Sequence, residues 1–267
     1  MQQPADEALM QLLRDGWSEL QSAPIEPVLS GFSDASVYRV RQDRQPLRYL
    51  KLARNDAAVL LRDEIARTQW LAAHHVPVPV IRRIDDRTDR VVLLSDALPG
   101  LPADDCPLPV ERLVDALAAS LAALHALRVA DCPFDESLAR RLSRATAAVA
   151  AGDVDPGEFA TRNSGVDPAV LLARLAATQP DEDLVVVHGD ATLSNMIVDD
   201  NDGVGFVDCG NAGRGDRYID LAVLSDDIAE QFGRAAGRRF AKAYCRRTST
   251  IWDAAKARYF LDLYELF

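Results

Sequence analysis

Cysteine is scarce, with four in 267 residues. Cys106, Cys132, Cys209 and Cys245 are far apart and form neither a C-x-x-C pair nor the Cys/His spacing of a zinc site. Reduced thiols in a cytoplasm fit that usage best. Long apolar runs are also missing: no stretch reaches the about eighteen residues that a membrane span requires. The opening "MQQPADEALMQLL" lacks a charged region followed by an apolar one, as a secretory leader would have. The expectation is a cytoplasmic protein without a membrane span. Basic residues are in deficit, 30 against 41 acidic ones, for a net charge of −11. That balance argues against sequence-independent nucleic-acid binding and is compatible with a cationic ligand. There is no internal repeat and no low-complexity tract.

What remains is an ordinary globular composition, 48% hydrophobic and 27% charged, long enough to bury a sizeable core as one domain or two lobes. Residues 27–40, "PVLSGFSDASVYRV", and 47–53, "LRYLKLA", alternate apolar and polar positions around turn residues, the pattern of paired strands. Asn55 or Asp56 is placed to cap a helix through about Ala73, with Leu61, Ile65, Thr68 and Ala72 on one face. "VPVPVIRRI" and "RVVLLSDALPG" read as an extended segment and a buried strand, closed by a turn at Pro99-Gly100. From Glu111 the period becomes helical, with Leu113, Leu117, Leu121 and Leu124 recurring in an alanine-rich stretch. Residues 152–168 form a polar connection, and another helix is expected near 168–177. The expected class is α+β, with a strand-rich N-terminal lobe over 1–95, a hinge near 95–100 and a mainly helical lobe over 96–267.

The chemistry concentrates in "VVVHGDATLSNMIV" and the hairpin that follows it. An apolar strand delivers His188-Gly189-Asp190; "NMIV", "DDNDG" and "VGFVDCG" then describe strand, turn and strand. In an antiparallel hairpin, Asn195 and Asp208 meet at the open end, two oxygen ligands suited to a hard cation such as Mg²⁺. Asp190 lies on the loop leading there. The spacing H-x-D-x-x-x-x-N followed by D-x-G, here His188, Asp190, Asn195, Asp208 and Gly210, is that of a kinase catalytic loop and metal-binding segment, and points to phosphoryl transfer. His188 is expected to orient this loop more than to move protons. Asp199–Asp202 reads as a solvated turn, because an EF-hand register would put Val198 and Cys209 at its first and last ligand positions.

A phosphoryl-transfer site also needs a phosphate clamp and a lysine. No Walker A sequence and no G-x-G-x-x-G occurs. "SGFSDASVYRV" instead offers a turn whose backbone N–H groups, with the Ser33 and Ser36 hydroxyls, are able to cover phosphates. Lys51, in an apolar strand, is the candidate for the α- and β-phosphates, with Glu64 as its partner from the next helix.

With these motifs in place, the chain resembles the aminoglycoside phosphotransferases, most closely those acting on 3′-hydroxyls. The resemblance runs through "SDASVYRV", "DEIARTQWLAAHHVPVP", "CPFD", "LVVVHGDATLSNMIVDD", "GFVDCGNAGRGDRYIDLAVLSDDIAEQFG" and "YFLDLYELF". It implies a protein-kinase-like two-lobed fold that moves the γ-phosphate of ATP, with GTP left open, to a hydroxyl of a cationic aminoglycoside, causing resistance. By this resemblance Asp190 is the base, Asn195 and Asp208 hold Mg²⁺, and Lys51 with Glu64 positions the nucleotide. Ser95-Asp96-Ala97 is the hinge whose backbone meets adenine. Asp227 and Glu230, together with the C-terminal carboxylate of Phe267, face the drug.

The chain departs from that family in three places. Asn211 stands where an arginine usually follows D-x-G, and Tyr264-Glu265 replaces an Asp-Glu pair. In the acidic antibiotic-binding loop only Glu158 remains, with Ala160, Thr161 and Arg162 at positions expected to be acidic. Such losses bear on substrate choice more than on phosphoryl transfer. They keep open a kinase for streptomycin or another hydroxylated metabolite, and, in a different class, a weakly catalytic nucleotide-binding module. Oligomeric state is not readable from the chain.

Overall fold

A computed structural model describes residues 10–11, 13–21, 23–28, 35–41 and 45–267, with the side chain of Glu158 excepted. Ser33, expected at the phosphates, lies outside the described residues. The chain divides into two compact units: the described residues up to Gln69 with Pro79–Leu98, and Trp70–Val78 with Pro99–Phe267.

The first unit is built on a five-stranded antiparallel sheet in the order β1-β2-β3-β5-β4, from β1 (Ile25–Pro27), β2 (Ser36–Val40), β3 (Arg48–Arg54), β4 (Ile81–Asp86) and β5 (Arg90–Asp96). The alternation read in "SVYRV" and "RYLKLAR" sends Tyr38, Val40, Leu50 and Leu52 into a core with Val92, Leu94, Leu13 and Leu20. On the opposite face Ala53, Val91 and Leu93 pack with Ala58, Leu61 and Ile65 of helix α1 (Asn55–Ala73). The face of α1 runs as expected through Leu61, Ile65 and Thr68, but Ala72 is exposed and Leu71 is buried in its place. The reason is that the last turn belongs to the other unit, whose core contains Leu71.

The second unit is mainly helical: α2 (Val110–His125), α3 (Leu138–Ala151), α4 (Pro168–Ala177), α5 (Tyr218–Phe232), α6 (Arg234–Thr248) and α7 (Ala254–Tyr264). Leu113, Leu117, Leu121 and Leu124 are each at most 2% exposed, so the apolar repeat of α2 is the stripe that faces the core. Two small antiparallel sheets lie among the helices. One pairs β7 (Leu184–Val187) with β10 (Gly213–Asp216), and the other joins β6 (Leu101–Pro102), β8 (Met196–Val198) and β9 (Val204–Phe206). Strand β6 is only Leu-Pro and β10 is Gly-Arg-Gly-Asp, so neither carries a periodic signal, and only pairing reveals them. Gly100, with φ +116°, packs against the backbone of Val198, which no β-carbon there would allow.

Candidate active site

Strand β7 ends at Val187 and hands the chain to His188-Gly189-Asp190. The backbone N–H groups of His188 and Gly189 donate to the two carboxylate oxygens of Asp220, at 2.7 and 2.8 Å. His125 Nε2 donates to the same carboxylate at 3.0 Å. Burial works against ionising Asp220, but these donors outweigh it and hold its pKa below the usual carboxylate value. The carbonyl of Gly189 accepts from the buried guanidinium of Arg141 at 2.7 Å. Burial lowers the pKa of that guanidinium to about 10, against the support of Glu136. The loop is thus gripped from both sides by buried charge.

His188 Nε2 donates to the carbonyl of Val207 at 2.9 Å, which leaves Nδ1 to accept from the N–H of Asp190 at 3.3 Å. The tautomer is set by the two partners, and the imidazole ties the loop to the far strand of the hairpin. A proton-transfer role for His188 has no geometric support, since both nitrogens are bound to backbone.

The hairpin forms as expected. Met196 pairs with Phe206 and Val198 with Val204, and the N–H of Val207 donates to the carbonyl of Asn195 at 3.0 Å. Asn195 and Asp208 therefore stand at the same open end. Asn195 Nδ2 donates to the backbone oxygen of Asp190 at 3.0 Å and to its Oδ2 at 2.9 Å. Both amide hydrogens of Asn195 face Asp190, so its oxygen is the side-chain atom that would be offered to a cation. Asp208 is exposed and adopts a left-handed backbone with φ +55°. No group of three or more His, Cys, Asp or Glu among the described residues is arranged to hold a metal. An amide oxygen and one carboxylate are the sparse protein contribution typical of Mg²⁺ carried in with phosphates, so the donor set fits that ion.

The other oxygen of Asp190, Oδ1, accepts from the hydroxyl of Tyr264 at 2.9 Å. Tyr264 ends α7, and that last turn is anchored: Asp262 accepts from Arg162, Asn163 and Arg174 at 2.7, 2.9 and 3.1 Å. Glu265 is ion-paired to Arg162 and accepts from Asn163 at 2.9 Å. Asp227 on α5 accepts from the N–H of Leu193 at 2.7 Å. Burial, with the carboxylates of Asp104, Asp226 and Asp190 near it, raises the pKa of Asp227 despite that bond. Glu230 is exposed on the same helix. The Asn211 amide oxygen accepts from Arg144 at 3.1 Å, and the exposed Phe267 ring lies 5.4 Å from the Arg144 guanidinium carbon.

In the first unit, Lys51 Nζ donates to Glu64 Oε1 at 2.7 Å. Lys51 sits mid-strand, opposite Val37 on one side and Leu93 on the other. Ser36 opens β2 opposite Leu52. Ser95 and Asp96 end β5; the N–H of Asp96 goes to the carbonyl of Val80 at 2.9 Å, and that of Ala97 to Leu47 at 2.8 Å. The Asp96 side chain is held by Arg48 and Arg82, with Arg82 the larger cause of its lowered pKa after burial is offset.

Asp220, Arg141 and the hydroxyl of Tyr264 belong to no motif in the chain. For Asp220 a signal existed: a lone carboxylate inside the apolar run "YIDLAVL". Arg141 offered none, being one of several arginines on α3.

A family model described as "Phosphotransferase enzyme family" matches residues 24–260. The chain belongs to that family. Among relatives of this phosphotransferase, an aminoglycoside 3′-phosphotransferase of Escherichia coli is 33% identical over 220 residues, 80% of each chain. The crystal structure of an aminoglycoside-3′-phosphotransferase of type VIII superposes with a TM-score of 0.86 at 33% identity, covering 98% of both chains. The structure of aminoglycoside phosphotransferase APH(3″)-Id from Streptomyces rimosus, in complex with ADP and streptomycin, gives 0.83 at 30% identity over 97% of each. The α+β fold, an antiparallel sheet unit and a mainly helical unit, is the kinase-like fold of these enzymes.

Proposed function

We propose that this phosphotransferase moves the γ-phosphate of ATP to a hydroxyl of an aminoglycoside, the 3′-hydroxyl first, and so confers resistance. The observation that carries this reading is the carboxylate of Asp190, held by Asn195 beside the hairpin end that presents Asp208. Asp190 is the base that orients the acceptor hydroxyl and takes its proton. Asn195 and Asp208 are the residues for Mg²⁺, which would neutralise charge on the phosphates when bound. Lys51, held by Glu64, meets the α- and β-phosphates; Ser36 and the Ser95–Ala97 stretch lie on the nucleotide side. The similarity to 3′-phosphotransferases, and to an enzyme whose structure contains ADP and streptomycin, supports both the nucleotide and the cationic acceptor.

On the acceptor side, Asp227 and Glu230 are the carboxylates for the drug's ammonium groups, and the resemblance adds Glu158, Asn211 and the C-terminal carboxylate of Phe267 to the acceptor-side set. Glu265 contributes less, because Arg162 already neutralises it. That same neutralisation, with Tyr264 at a position expected to be acidic, favours a second reading, a streptomycin kinase of the same mechanism. A weakly catalytic module is disfavoured by the complete set Lys51, Glu64, Asp190, Asn195 and Asp208. With no membrane-crossing helix among the described residues, a cytoplasmic site of action fits the ATP requirement.

The test is phosphate transfer, followed by product mass, with ATP and Mg²⁺ across kanamycin, neomycin and streptomycin. Kanamycin or neomycin gaining one phosphate is expected, and Asp190→Ala should abolish it while nucleotide still binds. Product with streptomycin alone would establish the second reading. No product with any of the three would sink the aminoglycoside assignment.

A further inference from the structure

A carboxylate that activates an alcohol must exclude a competitor present at far higher concentration: water. Either one donates its O–H to the base at about 2.6–3.2 Å and presents the same lone pairs to phosphorus. In this structure a protein hydroxyl already sits on Oδ1 of Asp190. The Tyr264 hydroxyl donates to it at 2.9 Å, while Asn195 occupies Oδ2 at 2.9 Å. A phenol O–H on that oxygen has the chemistry and distance that an acceptor hydroxyl must have.

Three further observations make this contact more than a surface coincidence. The backbone under Tyr264 is fixed, because the residues two before and one after it, Asp262 and Glu265, are tied to Arg162 and Asn163. Tyr264 as a residue is 36% exposed, so part of it faces solvent and no core packing holds it on Asp190. Burial, and then the nearby Asp190 carboxylate, raise the phenol's pKa, so it remains a donor throughout the working pH range.

We propose that the Tyr264 hydroxyl holds the acceptor's place on Asp190 until an acceptor displaces it, making Tyr264 the residue that selects an alcohol over water. The inference rests on the assignment of Asp190 as base. In the suppressed reaction a water O–H bond breaks with its proton passing to Asp190. The water oxygen then bonds to the γ-phosphorus, and ADP leaves with the electron pair of the broken P–O bond. An aminoglycoside hydroxyl, brought in by ammonium groups bound to carboxylates, has the binding energy to displace the phenol, and a lone water does not. Tyr264 is a positioning residue, since it touches the base and not the reacting atoms.

The experiment is Tyr264→Phe, which keeps the ring and removes one oxygen. ADP release with ATP and Mg²⁺ is measured without any acceptor, and transfer to an aminoglycoside is measured separately by product mass. Acceptor-free release is expected to rise about tenfold, the factor carried by one hydrogen bond to a charged group. The acceptor's KM should fall with kcat held, and the melting temperature should stay near that of the wild type. In Tyr264→Phe/Asp190→Ala the added hydrolysis should disappear, because Asp190 is the base that activates the water; a purely structural loosening by Tyr264→Phe would instead lower the melting temperature or kcat. Unchanged or lower acceptor-free release in Tyr264→Phe overturns the proposal, as does a rise that survives loss of Asp190. Because the hydrolysis assay needs no drug, its outcome is separate from the aminoglycoside assignment, which fails only if wild-type enzyme transfers phosphate to none of the drugs.

Discussion

At Gly189 the backbone turns with φ +88°, and a β-carbon there would lie 2.1 Å from the carbonyl oxygen of Asn211. Any L side chain would be strained by the dihedral and would push apart the loop and the turn following Asp208. Gly189→Ala is therefore expected to lower kcat about a hundredfold, through displacement of Asp190 by about an ångström, while the nucleotide KM changes little. A steady-state assay with nucleotide and acceptor varied in turn checks it; near-normal kcat would show that the loop tolerates the shift. The adjacent residues that the motif made visible, His188 and Asp190, owe their placement to this glycine and to backbone contacts that no motif describes.

Among the elements, helix α5 does two tasks from one end to the other. Its first turn buries Asp220 beneath the loop after β7, and its outer turns carry Asp227 and Glu230. Asp220→Asn replaces a charged acceptor of three donors by an amide with one oxygen and two hydrogens, leaving buried donors facing a donor. A loss of about 3–5 kcal/mol at neutral pH is expected, read by urea unfolding. The pH sign follows from the lowered pKa of Asp220. Its contribution is present above the unfolded carboxylate's pKa and is lost as pH falls through the lower folded value. The variant should show a shallower acid limb than the wild type; equal acid sensitivity would mean that other carboxylates carry it. By contrast the hairpin β8–β9 was legible in advance, because a short apolar run, an Asp/Asn/Gly turn and a second apolar run specify pairing locally.

For the whole molecule, the division of labour follows the two units. The Lys51–Glu64 ion pair is made within the sheet unit, while every residue placed on the acceptor side belongs to the helical unit. Lys51→Ala should accordingly weaken nucleotide binding about tenfold, one charge-assisted contact, and leave acceptor affinity alone. Isothermal titration with the nucleotide and with the drug separates the two; a parallel loss of drug affinity would mean that the units are coupled through this pair.

What is local is legible along the chain: strands from alternation, α1, α2 and α4 from helical spacing, and the run from His188 to Asp208, where chemistry demands fixed intervals along one loop and one hairpin. Tertiary structure alone decided the contacts that join distant positions. Tyr264 reaches Asp190 across 74 residues, His125 reaches Asp220 across 95, and Arg162 reaches Asp262 across 100. Read in the chain, Tyr264 was only a missing carboxylate and Arg162 only a misplaced cation. Packing turned the first into a donor on Asp190 and the second into the counter-ion of the acidic C-terminal turn. Periodicity and spacing record which face of an element is apolar, but they hold no information about which side chain that face will meet.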